Sequence, residues 1–258
     1  MEVINSIKKW QEIRKNINGQ TIGFVATMGA LHLGHGSLVS ICRQENDVTV
    51  ASIFINPTQF NQQQDFVNYP KNLAKDIEYF ASIGVDYCIT PRENDVYPEG
   101  FLYKIQEEKH ANLMEGELRP GHFSGMLTVV IKLLNLVQPH NAYFGEKDYQ
   151  QYLLIKNMVA DFFMPINIKA CPIVREKSGL ALSSRNTRLT PEGLELANKF
   201  AQIFQQNIEL SQIKKQLLAL GITVEYLQTY QQRKFIAVSI DGVRLIDNRP
   251  LLSSSNHD

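Results

Sequence analysis

The residues best suited to chemistry lie in a short loop in which His32 and His35 are separated by leucine and glycine. The loop follows an apolar run that predicts a buried parallel strand, and it leads into a helical pattern. In an open parallel sheet, ligands bind beyond the carboxyl ends of the strands, and free N–H groups at a helix start favour phosphate. Gly29 and Gly34 allow the backbone to approach a ligand closely. The loop therefore predicts a phosphate site in which both histidines donate hydrogen bonds.

Two other interpretations of this histidine pair stay open. Histidines at this spacing can bind a metal ion, although no Cys, Asp or Glu accompanies them in the loop. Both rings can also be structural, although their position between a strand and a helix favours a ligand site.

A second candidate loop follows Gly179 and contains Ser183, Ser184 and Arg185. Serine hydroxyls donate single hydrogen bonds and the arginine guanidinium donates in pairs, so together they suit a triphosphate. Ser-Ser-Arg-Asn is also an ordinary loop composition. The interpretation as a binding loop depends on its combination with the histidine loop at the other end of the predicted fold.

A lysine, an aspartate and two glutamines lie where further strands are expected to end. Lys147 can place a positive charge on phosphates, and Asp148 can accept a hydrogen bond from a ribose hydroxyl. Gln59 and Gln151 can bind hydroxyl and carboxylate groups without adding charge. Either glutamine by itself is more typical of a solvated surface. Because both lie at the carboxyl ends of predicted strands, we interpret them as substrate contacts.

The elements that must position these residues alternate between apolar strands and amphipathic helices. This alternation predicts βαβ units and therefore a Rossmann-like α/β domain with a mostly parallel sheet. The first helix is expected over Val3–Ile17, where apolar residues recur every three or four positions. After Arg175 the pattern changes to helices followed by short strands with an Asp-Gly turn, which predicts a smaller α+β domain. The expected domains are therefore residues 1–174 and 175–258.

Composition argues against several kinds of partner. The 258 residues carry 26 Lys and Arg and 26 Asp and Glu, so the basic excess typical of nucleic-acid-binding proteins is missing. Three cysteines set among apolar residues predict reduced, buried thiols and no disulfide framework. Neither a secretory signal nor an apolar run that could span a bilayer is evident. We therefore expect a cytoplasmic protein with no nucleic-acid or membrane partner.

The His-x-Gly-His loop resembles the HIGH signature of the adenylate-forming nucleotidyltransferase superfamily. The loop around Ser183 resembles the KMSKS-type loop of the same superfamily, without its first lysine. Six segments, in the right order and spanning most of the chain, closely resemble the pantothenate synthetase (pantoate–β-alanine ligase) family. These segments are Met28–His35, Phe54–Phe60, Arg119–Gly125, Phe144–Gln151, Val174–Asn186 and Arg244–Asn248.

The family resemblance implies an ATP-dependent reaction in two steps. The carboxylate of pantoate attacks the α-phosphate of ATP, which carries Mg²⁺, and forms a pantoyl adenylate with release of pyrophosphate. The amine of β-alanine then displaces AMP and gives pantothenate. The first step needs charge stabilisation on the triphosphate more than an acid–base pair. The resemblance also implies a homodimer.

The resemblance implies a role for each residue by its position in the motifs. The catalytic residues are His35, which donates to the developing phosphate charge, His32, which holds the nucleotide, and Lys147. Gln59 and Gln151 hold pantoate, and Gln59 also lies near β-alanine. No protein ligand for a metal ion is implied. The expected ATP contacts are Met28, Gly29, Ala30, Leu31, His32, Leu33, Gly34, His35, Gly145, Glu146, Lys147, Asp148, Val174, Leu182, Ser183, Ser184 and Arg185.

Three departures from the family pattern concern details of the site. Ala26 replaces a common proline, Ser178 replaces a common aspartate, and the C-terminal unit is short. His122 matches the family, but the residue pattern assigns it no role.

Three alternative functions are less consistent with the sequence. A nucleotidyltransferase acting on a phosphorylated precursor would need basic residues to bind the phosphate, and the two glutamines argue against it. A class I synthetase would need a tRNA-binding domain, and no segment of this sequence resembles one. A nucleotide-binding regulator would show no turnover.

Overall fold

The structure is a computed structural model that describes residues 1–61, 66–67 and 69–251. The chain divides into two compact units. The first comprises Met1–Glu146 and Gln150–Cys171, and the second comprises Lys147–Tyr149 and the chain from Pro172 onward. A functional domain boundary after Val174 stays a prediction, and residues 252–258 of the predicted second domain lie outside the described residues.

The first unit contains a six-stranded sheet in which every pair of neighbouring strands is parallel. The strands are β1 (Glu2–Ile4), β2 (Ile22–Thr27), β3 (Val48–Ile53), β4 (Tyr87–Ile89), β5 (Asn141–Gly145) and β6 (Asn167–Cys171). Their order across the sheet is β1-β4-β3-β2-β5-β6. After β2, the next two strands, β3 and β4, lie on one side of it, whereas β5 and β6 lie on its other side. The carboxyl end of β2 is therefore a topological switch point, where ligands bind in such sheets.

Helices connect these strands and cover the sheet. They are α1 (Ile7–Asn16), α2 (Leu33–Glu45), α3 (Leu73–Ser82), α4 (Glu93–Val96), α5 (Glu115–Leu118), α6 (His122–Val137) and α7 (Tyr149–Asp161). Short 3₁₀ helices cover Pro57–Gln59, His110–Asn112 and Glu146–Asp148. A core cluster packs Val39 of α2 and Phe80 of α3 with Val25 and Ala51 of the central strands. The central strands β2 and β3 are almost wholly buried because helices cover the sheet.

The second unit contains two helices and a three-stranded antiparallel sheet. The elements are α8 (Pro191–Phe204), α9 (Leu210–Ala219), β7 (Thr223–Tyr230), β8 (Arg233–Ile240) and β9 (Val243–Pro250). A short 3₁₀ helix covers Ser184–Arg188. Phe200 of α8 and Leu217 of α9 pack with Ile236 of β8 in a separate core. The predicted fold class, a Rossmann-like parallel sheet with a smaller α+β part, is confirmed.

The predicted helix over Val3–Ile17 is wrong at its start. Glu2–Ile4 forms β1, which pairs with β4, and α1 begins at Ile7, where Ser6 Oγ accepts a hydrogen bond from Lys9 N at 3.4 Å. Ile4 is fully buried, whereas Val3 is 38% exposed. The parallel pairing with β4 makes this segment a strand, and Val3 matches the helical period by coincidence. The N-cap type of Ser6 is the signal that marks the true helix start.

The cysteines are buried, and all three thiols are free. Burial raises the pKa of the Cys42 and Cys88 thiols to about 12 and that of Cys171 to about 11, which makes them poor nucleophiles. The prediction of free, buried thiols is confirmed. Within the described ranges, no helix has the length and apolar character needed to cross a membrane.

Candidate active site

The loop that connects β2 to α2 has an unusual backbone conformation. Gly29 and Ala30 have φ angles of 81° and 51°, a region that side chains other than glycine rarely adopt. The Asp76 carboxylate, on α3, accepts hydrogen bonds from Ala30 N and Leu31 N at 2.9 Å each. A Cβ atom on Gly29 would lie 2.7 Å from Asp76 Oδ2, so glycine is required there. Asp76 therefore holds the backbone of the predicted ATP loop.

Sequence reasoning misses Asp76. It lies far from the loop in the chain, and its amphipathic helix accounts for it as an ordinary polar position. Its side chain is nevertheless buried, at 5% exposure, on the same helix as the buried Phe80. A carboxylate one helical turn before a core phenylalanine is the signal that would have found it, because acidic residues are rarely buried without partners.

Both histidines of the loop use Nδ1 to cap the start of α2. His32 Nδ1 accepts a hydrogen bond from Gly34 N at 3.1 Å, and His35 Nδ1 accepts one from His32 N at 3.3 Å. A nitrogen that accepts carries no proton, so each neutral ring has its proton on Nε2. The two ring centroids are 4.2 Å apart. The structure therefore brings the predicted pair together, with capping on one edge of each ring and an Nε2–H donor on the other.

Gln59 lies in a hydrogen-bonded network that fixes its amide. Asn56, which is fully buried, donates from Nδ2 to Gln59 Oε1 at 3.0 Å. Asn56 Oδ1 accepts hydrogen bonds at 2.9 Å from Thr58 Oγ1 and from the Tyr97 hydroxyl. Burial raises the pKa of Tyr97, which keeps that hydroxyl a donor. With its oxygen engaged by Asn56, Gln59 directs its NH₂ group at Met28, and Nε2 lies 3.0 Å from Met28 Sδ.

The contact between Gln59 and Met28 joins two stretches that the sequence predicts as separate parts of one site. Beside Met28, a cavity of about 240 Å³ opens at the carboxyl end of β3, with Ile53, Phe54 and Lys71 in its lining. Apolar walls with a few polar groups are typical of small-molecule sites. Asn56 and Tyr97 are further polar residues of this region, and sequence reasoning did not propose them as site residues.

In the second unit, the Ser-Ser-Arg loop is tied to the end of the antiparallel sheet. Arg175 donates two hydrogen bonds to the Asp247 carboxylate, at 2.7 and 2.8 Å, and a third to Gly179 O at 3.0 Å. Ser183 Oγ accepts from Arg185 N at 3.2 Å and caps the following 3₁₀ helix. The glycine-preceded loop is therefore held at its base by an ion pair whose carboxylate is buried.

Lys147 belongs to the same unit, and its main chain is held by β9. Asn248 Nδ2 donates to Lys147 O at 3.0 Å, and the Lys147 amine lies 3.8 Å from Asp148 Oδ1. One small cavity is lined by residues that include Lys147, Ser183 and Arg185. The second unit thus brings together three of the predicted phosphate contacts, and Asp247 and Asn248 support them from adjacent positions of one strand.

The remaining predicted residues have less distinctive surroundings. Gln151 is half-buried in the first turn of α7, and no hydrogen bond joins it to Gln59 among the described residues. Its neighbour Gln150 is buried and donates to His110 O and Leu113 O, so that glutamine is structural. Val174 O accepts from Leu182 N at 3.0 Å, which places two predicted ATP contacts side by side.

The parallel sheet, the His-x-Gly-His loop at its switch point and the clustered Lys147, Ser183 and Arg185 define the class of HIGH-motif, adenylate-forming enzymes. Within that class, comparison with known proteins gives the family. The chain belongs to the pantoate-beta-alanine ligase family, whose model matches residues 2–250.

Individual relatives agree with this assignment over nearly their full length. A pantothenate synthetase of Legionella pneumophila is 53% identical over 249 residues, which are 96% of this chain and 99% of the relative. One from Coxiella burnetii is 49% identical over 96% of each chain. The crystal structure of a Francisella tularensis pantoate-beta-alanine ligase, complexed with beta-gamma ATP and beta-alanine, matches with a TM-score of 0.93 at 48% identity and covers 97% of each chain. The predicted ligase activity is confirmed.

Proposed function

We propose that the enzyme activates pantoate as its adenylate at the carboxyl end of β2 and then transfers the pantoyl group to β-alanine. The observation that carries this assignment is the contact of Gln59 Nε2 with Met28 Sδ, 3.0 Å apart. It puts an oriented amide donor, suited to a hydroxy acid, against the loop that bears His35. Support also comes from the Francisella tularensis relative, which was solved with an ATP compound and beta-alanine bound.

Each step has a physical reason. A carboxylate oxygen is a poor leaving group, whereas AMP is a good one, so the mixed anhydride lowers the barrier to attack by the amine. During adenylation, negative charge develops on the phosphates, and the Nε2–H groups of His32 and His35 donate to it. Lys147, Ser183, Ser184 and Arg185 supply further donors to the phosphates. Gln59 and Gln151 bind pantoate, with Gln59 also close to β-alanine.

The nucleotide is held mainly through backbone groups. The main chain of Met28–Leu33 and Gly34 lines the nucleotide site at the start of α2. Its shape is fixed by the hydrogen bonds that Ala30 N and Leu31 N donate to Asp76 and that Gly34 N donates to His32 Nδ1. Gly145, Glu146 and Asp148 contact ribose and phosphate, while the Val174 backbone faces adenine and Leu182 lies beside it.

Magnesium accompanies ATP in this proposal. Among the described residues, no group of three or more His, Cys, Asp or Glu side chains is arranged to hold a metal ion. The donor set therefore fits Mg²⁺ only where ATP phosphates and water supply its ligands, which is common for this ion. Bound in this way, it neutralises phosphate charge.

The segment from residue 175 onward is proposed to act as a lid domain, because Ser183, Ser184 and Arg185 lie in it while both histidines precede it. Closure of such a domain would keep water from a labile acyl adenylate. The enzyme is further proposed to be a homodimer, as the family resemblance implies, and to work in the cytoplasm, where its free thiols stay reduced.

Product analysis tests the proposed function. The purified enzyme, with ATP, Mg²⁺, pantoate and β-alanine, is expected to give equimolar pantothenate, AMP and pyrophosphate. Omission of pantoate should abolish the formation of AMP and pyrophosphate. Omission of β-alanine should limit pyrophosphate release to about one turnover, with the AMP group retained in the enzyme-bound pantoyl adenylate. Release of ADP, or AMP formation that needs a phosphorylated acceptor, would contradict the proposal.

We expect Asp76→Ala to weaken ATP binding and lower stability. Two backbone N–H groups lose their acceptor, which costs about 1–3 kcal/mol of the free energy of unfolding, and the loop loses its fixed geometry. The KM for ATP should rise about 10-fold. Chemical denaturation and steady-state kinetics measure the two effects.

Asp47→Ala is the matched control for this prediction. Asp47 also accepts two hydrogen bonds, from Thr21 N at 2.7 Å and Thr21 Oγ1 at 2.8 Å, but it does so at the amino end of β2. Its removal should leave the KM for ATP unchanged. Equal changes in the KM for ATP in both variants would show that Asp76 has no particular role in the loop.

A further inference from the structure

We propose that His122 is a positioning residue that holds the main chain of the substrate glutamine, Gln59. The side chain of His122 is buried at the start of α6, with 7% exposure. Its Nδ1 lies 2.8 Å from Gln59 O, and its Nε2 lies 3.1 Å from Arg119 Nη1. One imidazole therefore joins the 3₁₀ turn Pro57–Gln59 to the Arg119 side chain.

The direction of both hydrogen bonds follows from the chemistry of arginine. A guanidinium group donates and never accepts, so His122 Nε2 must accept from Arg119. The proton of the neutral ring is then on Nδ1, which donates it to Gln59 O. Glu115 lies 3.6 Å from Arg119 Nη1 and compensates its charge in a nearly buried position. Arg119 thus selects the tautomer of His122 that can hold the glutamine carbonyl.

A second contact of α6 fixes the same turn. A Cβ atom on Gly125 would lie 2.7 Å from Gln59 N and closer still to Thr58 O, so only glycine allows this approach. Gly125 O also accepts a hydrogen bond at 3.1 Å from Asn56 Nδ2, the same amide that binds Gln59 Oε1. His122 holds the carbonyl of Gln59, and Gly125 lets the helix pack against its N–H side.

The motif Arg119–Gly125 therefore has a function that its residue types did not reveal. Its arginine sets a tautomer, its histidine holds a carbonyl and its last glycine permits close packing against the turn. This inference rests on the proposed function, in which Gln59 binds pantoate. Loss of the His122 hydrogen bond should displace Gln59 and affect pantoate more than ATP.

Three substitutions of His122 test the direction of the hydrogen bond. Asparagine places an N–H donor near the position of Nδ1, glutamine places one near Nε2, and alanine provides neither. We expect the KM for pantoate to rise about 10- to 100-fold in His122→Ala and His122→Gln, because small misplacements of a binding group carry effects of this size. His122→Asn should recover most of this loss, and the KM for ATP should stay within about 2-fold in all three.

Thr128→Val, on the same helix, is the matched control for a purely structural effect. Thr128 is 2% exposed, and its hydroxyl donates to Ser124 O and accepts from Ile105 N, so neither hydrogen bond involves the Gln59 turn. The Thr128→Val variant should have a lower melting temperature than the wild type and the same KM for pantoate. Equal KM values for pantoate in His122→Asn and His122→Gln, or in His122→Ala and Thr128→Val, would overturn the inference.

The variant Gln59→Leu distinguishes failure of the inference about His122 from failure of the proposed role of Gln59. If this variant raises the KM for pantoate but His122→Ala does not, the inference about His122 fails while the proposed function stands. If Gln59→Leu leaves the KM for pantoate unchanged, the assignment of Gln59 fails and the role of His122 fails with it. Since His122→Asn and His122→Gln keep a polar side chain, the comparison holds even where the alanine variant does not fold.

Discussion

Replacement of His35 by alanine is expected to slow adenylate formation by about 10²–10³-fold, the usual effect of removing one preorganised donor to a developing charge. His35 Nδ1 accepts from His32 N, so Nε2–H is the group with which this ring would donate to phosphate. Its loss removes a donor that needs no reorganisation during the reaction. Pantoate binding should change little, because Gln59 is held by a separate network.

Two further variants separate the catalytic role of His35 from its capping role. His35→Asn keeps an acceptor for His32 N but has no donor at the Nε2 position. It should therefore be as stable as the wild type but form the adenylate more slowly. His35→Gln offers a donor near Nε2 and loses the cap, so it should be less stable and more active than His35→Asn. Single-turnover pyrophosphate release and thermal melts measure both properties.

His140→Asn is the control for the effect of changing a capping histidine. His140 Nδ1 accepts from Ile22 N at 2.9 Å at the amino end of β2, away from the His-x-Gly-His loop. The His140→Asn variant should have the single-turnover rate of adenylation of the wild type. An unchanged rate in His35→Asn as well would refute the donor role, and loss of bound zinc from the His35 variants would favour the metal-site interpretation of the pair.

Replacement of Lys147 by methionine is expected to lower the adenylation rate by at least about 10²-fold, because a positive charge on the phosphates is lost. The hydrogen bond from Asn248 reaches the main-chain carbonyl of Lys147, so it survives the substitution. The fold should therefore stay intact while the rate falls. Methionine keeps most of the side-chain volume, which limits the change to the charge.

Lys169→Met is the matched control for Lys147→Met. Lys169 pairs with Glu45 at 3.4 Å on the surface of the first unit, and its side chain is 45% exposed. The control should have normal kinetics in single-turnover pyrophosphate release. A Lys147→Met enzyme with wild-type adenylation would show that the charge of Lys147 does not act on the phosphates.

The fold follows closely from the sequence because its main signal is local. Apolar strands that alternate with amphipathic helices define a parallel sheet, and the loop after β2 then falls at the switch point between β2 and β5. The error at Val3 arose where a strand of three residues was too short to display its own period. Periodicity cannot separate a strand of that length from the first turn of a helix.

The site was predictable only in part, because its support comes from residues distant in the chain. Asp76 holds the loop at Ala30 across 46 positions, and Arg175 pairs with Asp247 across 72. Such pairs leave no local pattern in a single sequence. His122 could be noticed as part of a motif, but its role depends on a carbonyl 63 positions away.

Pantoate-dependent exchange of labelled pyrophosphate into ATP tests the central claim most directly, since only an enzyme that forms an adenylate reversibly can catalyse it. The purified protein is expected to catalyse exchange with pantoate and Mg²⁺ and without β-alanine, and EDTA should stop it. β-Alanine as the sole substrate should support none. Absence of exchange with pantoate, in a folded preparation that converts pantoate and β-alanine to pantothenate, would contradict the adenylate route.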